Sequence, residues 1–172
     1  MPTLAPRLRG GALLAGGLLS LVALFQGMRP PVVQPYEVPV SGLAAELDGT
    51  VIAALSDTHL GSLIGNRWLA ARVDQVNAVD PDLVVLLGDI FEGHGGLPEA
   101  LCATLRRLDP PLGVWGVTGN HEFHGGRNIN SFTAANVQLL RNRWAEVRPG
   151  LILAGVDDLT TAARRGDVDS VS

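Results

Sequence analysis

The sequence predicts an α/β fold: a mainly parallel sheet flanked by helices, preceded by one transmembrane helix. Three observations predict it. Short apolar runs alternate with stretches of helical periodicity, an uncharged segment of 19 residues lies near the amino terminus, and the polar clusters follow directly on apolar runs. With 172 residues, 47% of them hydrophobic, the chain can bury a sizeable core. Its 13 basic and 17 acidic residues give a net charge of −4, which offers no electrostatic footprint for nucleic acid. Every basic residue is Arg, so Schiff-base lysines and the phosphate-binding lysine of a P-loop are excluded. The single Cys102 excludes an internal disulfide and a CxxC metal or redox pair.

The first element is the uncharged segment from Gly10 to Met28, bounded by Arg7 and Arg9 before it and Arg29 after it. As a helix it reaches about 28 Å, close to the hydrocarbon thickness of a bilayer. Phe25-Gln26-Gly27-Met28-Arg29 offers no A-x-A-like cleavage site, which favours an uncleaved anchor over a signal peptide. Leu13, Leu14, Leu18, Leu19, Leu21, Val22, Leu24 and Phe25 cover all faces, unlike the single stripe of a buried core helix. The arginine bias keeps the amino terminus cytoplasmic, and makes the chain a single-pass protein of the cell membrane with its remainder extracytoplasmic. Pro30, Pro31, Pro35 and Pro39 then form a stiff connector. The expected organisation is an anchor over 1–29, a connector over 30–35, a folded domain over 36–158 and a loop or frayed tail over 159–172, with Arg164-Arg165-Gly166-Asp167 in that tail.

Within the domain, Val51–Leu55 and Leu83–Leu87 read as strands buried on both faces, and Val114–Val117 and Leu151–Ala154 as two more. Helices are expected where Leu69, Val73 and Val76 recur, where Leu101, Leu105 and Leu108 recur behind Pro98, and where Val137, Leu140, Trp144 and Val147 recur. Trp68, Trp115 and Trp144 fall at core-like positions. The order β-α-β-α-β-α-β implies a parallel sheet with right-handed crossovers and all four carboxyl ends along one edge.

Polar clusters end three of these strands: Ser56-Asp57-Thr58-His59, Gly88-Asp89 and Gly119-Asn120-His121-Glu122. Asp57, Asp89 and Asn120 are spaced 32 and 31 residues apart, each about one βαβ unit. The clusters should therefore sit side by side, where open α/β sheets bind ligands. Each taken singly is explicable as turn chemistry. Turn chemistry does not require two histidines to join two carboxylates and an amide. Asp57 and His59, two apart in extended chain, can bite one cation, Asp89 can bridge two, and Asn120 adds a neutral oxygen. Mixed imidazole and oxygen donors suit Mn, Fe or Zn better than Ca.

Asp57-Thr58-His59, Gly88-Asp89-Ile90-Phe91-Glu92 and Gly119-Asn120-His121-Glu122 resemble the D-x-H, GD-x-x-D and GNH[DE] blocks of the calcineurin-like metallophosphoesterases. The resemblance covers roughly 36–158, and Gly155-Val156-Asp157-Asp158 looks like the membrane-associated branch. It implies a partial metallophosphoesterase sandwich and two divalent metal ions, with Asp57 and His59 on the first, Asp89 bridging and Asn120 on the second. It further implies hydrolysis of phosphate esters by metal-activated water, with His121 as a catalytic residue rather than a ligand and Glu92 orienting it. Glu92 is one methylene longer than the family's usual Asp.

Family members also place histidine ligands downstream, one alone and two in a GHxH block, whereas no histidine follows His124 here. Two cations want roughly ten to twelve bonds and Asp57, His59, Asp89 and Asn120 supply about five. The expectation is an amino-terminal half of a catalytic unit, its metal site half built and its sheet left with one face or edge uncovered. His94 and His124 read as solvated loop residues. Gly93, Gly95 and Gly96 read as a surface loop, and Arg127 is a candidate contact for substrate phosphate. The anchor brings lipid-linked phosphates within reach. A different reading is a non-catalytic remnant or a membrane-tethered metal-binding or interaction module. A nucleotide-binding fold is disfavoured because no GxGxxG or GxxxxGK[ST] follows any strand.

Overall fold

A computed structural model describes residues 4–27, 29–61, 64–92, 98–123 and 129–159. The chain divides into two units, Met1–Pro39 and Val40–Ser172. In the first, Leu4–Gly27 form helix α1. Its 20-residue stretch Leu8–Gly27, in which an 18-residue window has a mean hydropathy of 1.8, is long and apolar enough to cross a membrane. Leu13, Leu14, Leu18, Leu19 and Phe25 are all exposed, so the helix uses no face for packing within its own unit.

In the second unit, strands β1 (Ile52–Leu55), β2 (Leu83–Leu87), β3 (Val114–Val117) and β4 (Gln138–Leu139) form one sheet in the order β1-β2-β3-β4. All three pairings are parallel, with Ala53 opposite Val84, Val85 opposite Trp115 and Gly116 opposite Leu139. Helices α2 (Asn66–Asn77), α3 (Glu99–Leu105) and α4 (Ile129–Ala134) are the crossovers. A sheet that grows in one direction through connections of one hand collects its helices on one face. That face is the core: Leu69 and Val73 of α2, Leu101 and Leu105 of α3, and Phe132 of α4 pack with Val84, Leu86 and Val114.

Local chemistry fixes these elements. Leu69 and Val73, one helical turn apart, are the fully buried face of α2, with Trp68 and Val76 partly buried beside them. Pro98 caps α3 and Glu99 lies in its first turn, where a carboxylate favours the helix dipole. The Thr104 hydroxyl donates to Asn66 Oδ1 at 2.6 Å, tying α3 to the start of α2. Asp82 Oδ2 accepts the Val51 N–H at 2.8 Å and sets the register of β1 on β2.

Four expectations need correction. Residues 137–147 are not a helix: they form β4 and part of β5 (Arg143–Arg148). Asn136 and Asn142 have left-handed φ of +59° and +48°, which interrupts a helical ladder, and the Leu140 N–H donates instead to Gly116 O at 2.8 Å. Strand β6 (Leu151–Gly155) is therefore no member of the parallel sheet: it pairs antiparallel with β5, so only β1, β2 and β3 bring polar clusters to the edge. Trp144, on this ribbon, is 68% exposed rather than in the core. The ribbon meets the main sheet at Gly155, where a Cβ would lie 2.4 Å from Leu140 Cβ and 2.8 Å from Val117 Cγ1. Strand β2 is the buried strand the sequence indicates, whereas β1 is an edge strand with Ile52 and Ala54 exposed.

Candidate metal centre

The carboxyl ends of β1, β2 and β3 lie side by side because their registers are in step. Pairing continues past the strands. Asp57 N–H donates to Gly88 O (3.2 Å), His59 N–H to Asp89 O (3.1 Å) and Leu60 N–H to Ile90 O (2.8 Å). The Thr58 hydroxyl donates to the same Ile90 carbonyl at 3.0 Å. The first cluster is thus stitched to the second by backbone, and its side chains are turned by left-handed φ at Asp57 (+55°) and His59 (+44°).

The second and third clusters approach even more closely. A Cβ on Gly88, itself at φ +92°, would lie 2.7 Å from Gly119 N, and one on Gly119 would lie 2.2 Å from Asp89 Oδ1. Only glycine fits at either position, which is why Gly-Asp and Gly-Asn face each other here. Asp89 takes φ +51°, and its Oδ1 accepts the His121 N–H at 2.9 Å.

These turns bring His59, Asp89 and His121 together, with one ligand atom from each lying within 4.8 Å of the others. The two imidazoles meet edge to face, ring centroids 4.5 Å apart. Glu92 lies against both: its Oε2 is 3.5 Å from His59 Nδ1 and its Oε1 3.5 Å from His121 Nδ1. All four side chains are half-buried. Two imidazoles and a carboxylate converging from three chain segments are a donor set that fits a divalent transition ion. Glu92 thus places one carboxylate oxygen within ion-pair distance of each imidazole.

Asp57 is exposed and lies outside this triad; its Oδ2 accepts the Ser56 hydroxyl. Asn120 is half-buried between Gly119 and His121, and its carbonyl accepts the Phe123 N–H at 3.2 Å. Gly93, His94, Gly95, Gly96, His124 and Arg127 lie outside the described residues, as does the charged run 164–167.

One important residue carries no assigned role from sequence. Glu122 is fully buried, and both its carboxylate oxygens are used. Oε1 accepts the N–H groups of Ile90 (2.7 Å) and Phe91 (2.9 Å), and Oε2 those of Asp89 (3.1 Å) and Gly119 (2.7 Å). Successive N–H groups turned to one point form an anion-binding nest, and here the chain's own carboxylate fills it. The acid directly after His121 was the available signal. A second pairing beyond the sequence motifs is Arg141, whose Nε donates to Asp157 Oδ1 at 2.8 Å while its guanidinium lies 5.7 Å from the Phe123 ring centre.

The model of the calcineurin-like phosphoesterase family matches residues 50–167. A Bos taurus protein named "Transmembrane protein with metallophosphoesterase domain" is 33% identical over 160 residues, covering 86% of this chain and 36% of that protein. A Danio rerio protein of the same name is 32% identical over 157 residues, with the same coverage of 86% and 36%. An Aquifex aeolicus protein named as an uncharacterized metallophosphoesterase is 33% identical over 132 residues, covering 73% of this chain and 49% of that one. The chain thus spans about a third of the length of the two vertebrate relatives. No solved structure matches it significantly.

Proposed function

Since the chain belongs to the calcineurin-like phosphoesterase family, we propose that it is a membrane-anchored, two-metal hydrolase of phosphate esters acting at the carboxyl edge of its parallel sheet. The observation that carries this is the convergence of His59, Asp89 and His121 from the ends of β1, β2 and β3. Asp57 and His59 would hold one ion and Asn120 the second, with Asp89 as the carboxylate shared between them. Mn, Fe and Zn fit such mixed donors. Bound ions would supply Lewis-acid stabilisation of the phosphoryl oxygens and activation of water.

The chain's own residues do the remaining work. Glu92 engages Nδ1 of His121, which leaves Nε2 of that ring to give a proton to the departing ester oxygen. The same carboxylate holds Nδ1 of His59, leaving its Nε2 for the ion. Residues 1–29 form the anchor, with residues 10–28 in the membrane, and 36–158 the catalytic domain behind the 30–35 connector. Helix α1 is long and apolar enough to cross a bilayer, and relatives carrying the transmembrane name support the reading. The arginine bias puts the domain outside the cytoplasm, where lipid-linked phosphate esters are within reach.

The convergence of both histidines with Asp89 also favours a second reading, a membrane-tethered module that binds one ion without catalysis. Metal titration of the full chain in detergent separates the two. Two Mn²⁺ per chain with hydrolysis of an aryl phosphate, both lost in Asp89→Asn, is the expected result. One ion per chain without turnover would favour the module, and an Asp89→Asn protein indistinguishable from wild type would sink both.

A further inference from the structure

We propose that Glu122 is a positioning residue that holds the backbone of Asp89 and Gly119 in ligand geometry before any ion binds. The inference rests on the reading of Asp89 as a metal ligand and concerns how that ligand is held. The hydrogen bonds given for the Glu122 carboxylate go to backbone amides, that of Asp89 among them, and not to the side chains of the His59–Asp89–His121 triad.

Its four partners are all donors, so the group serves as an acceptor at every contact. Three of them are consecutive amides, Asp89, Ile90 and Phe91, which follow Gly88 at φ +92° and begin with Asp89 at φ +51°. Two successive left-handed residues turn these N–H groups inward, away from any ladder. Without an acceptor they would be buried and unsatisfied, and the turn would relax toward ordinary backbone. The fourth partner, the Gly119 N–H, belongs to the neighbouring strand end, so one carboxylate clamps the β2 and β3 turns together. Asp89 is then fixed twice, by its own N–H on Glu122 and by its Oδ1 on the His121 N–H. An ion arriving at such a site finds the bridging carboxylate already oriented, where an unclamped turn would have to be ordered by binding.

Hydrogen exchange of the full chain in detergent, without metal, tests this directly. The amides of residues 89, 90, 91 and 119 are expected to exchange roughly 100-fold more slowly than unstructured backbone, and to change little when Mn²⁺ is added. Free exchange in the ion-free wild type would overturn the proposal without any variant having to fold. In Glu122→Gln the amide NH₂ faces two of the four donors. Protection is expected to fall at 89–91 and 119 alone, and Mn²⁺ affinity roughly 10- to 100-fold. Asp89→Asn should lose Mn²⁺ yet keep its amide protection, which distinguishes a ligand from the residue that positions it. Retained protection and affinity in Glu122→Gln would refute the role. So would a loss spread equally over core segments 69–76 and 101–108, since that marks a general packing role. A wild type that fails to bind Mn²⁺ while its amides stay protected in a Glu122-dependent way refutes the metal reading and supports the clamp.

Discussion

Replacing Gly119 by Ala tests the close approach of the two turns. The new Cβ would stand 2.2 Å from Asp89 Oδ1, 2.7 Å from Asp89 N and 2.8 Å from Asp89 Cγ. The carboxylate oxygen could swing aside; the amide nitrogen cannot, because it is donated to Glu122 Oε2. The turn must therefore shift as a unit. Overpacking of this kind costs about 1–3 kcal/mol, and loss of the His121 N–H bond to the Asp89 carboxylate about 1.5–3 kcal/mol. A loss of about 3 kcal/mol lowers the melting temperature of a domain of this size by about 10 °C. Thermal unfolding followed by circular dichroism in the absence of metal reads that shift, and Mn²⁺ binding by electron paramagnetic resonance reads the displaced ligand. Gly65→Ala is a milder comparison, since its Cβ would meet nothing within 4 Å and the change costs only the N-cap preference of α2, about 1 kcal/mol. A Gly119→Ala protein that melts within about 2 °C of wild type and binds Mn²⁺ equally would refute the reasoning.

Other outcomes follow from the same geometry. Glu92→Gln removes the negative charge beside His59 and His121 and leaves one acceptor oxygen for two imidazoles, and under the proposed function should lower the hydrolytic rate roughly 10- to 100-fold with an altered pH–rate profile; an unchanged profile would rule out its orienting role. Leu19→Asp near the middle of α1 should cost about 3 kcal/mol of membrane insertion and release most of the chain on carbonate washing, whereas full retention would argue against the anchor. Burial first, and then the Glu99 carboxylate, push the Cys102 thiol above its ordinary value. The folded chain holds that proton more tightly than the unfolded one, so this contribution is present at neutral pH and is lost as pH rises beyond about 8.5. Thiol labelling at pH 8 should accordingly be slow in the native protein and fast in guanidinium; rapid native labelling would contradict the 2% exposure of Cys102.

Much of the site was legible because the signals are local. Leu83–Leu87 is apolar throughout, as suits a strand covered on both faces, and Gly-Asp or Gly-Asn after an apolar run announces a tight turn. A spacing of one βαβ unit then places the turns together. The region 137–147 was not legible for an equally physical reason. Val137, Leu140, Trp144 and Val147 satisfy helical spacing, and what defeats it is the left-handed backbone at Asn136 and Asn142, which asparagine permits but does not require. Trp144 carries no mark that distinguishes a core aromatic from an exposed one on a two-stranded ribbon. Asp57 shows the opposite limit. It follows β1 as expected, yet its carboxyl accepts the Ser56 hydroxyl and stays outside the triad, which no pattern of residue types encodes.

Glu122 explains why a site with this much backbone strain can stand in a small sheet. Asp89, directly after Gly88, occupies left-handed φ, a conformation that costs a side-chain-bearing residue about 1–2 kcal/mol. Strain persists only where the surroundings over-determine it. Here the surroundings are a carboxylate receiving four amides, each such bond to a charged acceptor contributing about 1.5–3 kcal/mol. The compensation is also local, because three of the four donors belong to the strained turn itself. An acid that seems from sequence to be one more polar residue at a strand end is thus the counterpart of the strain beside it. Ile90 and Phe91, whose amides it receives, are themselves core residues, so the same carboxylate ties the strained turn to the core.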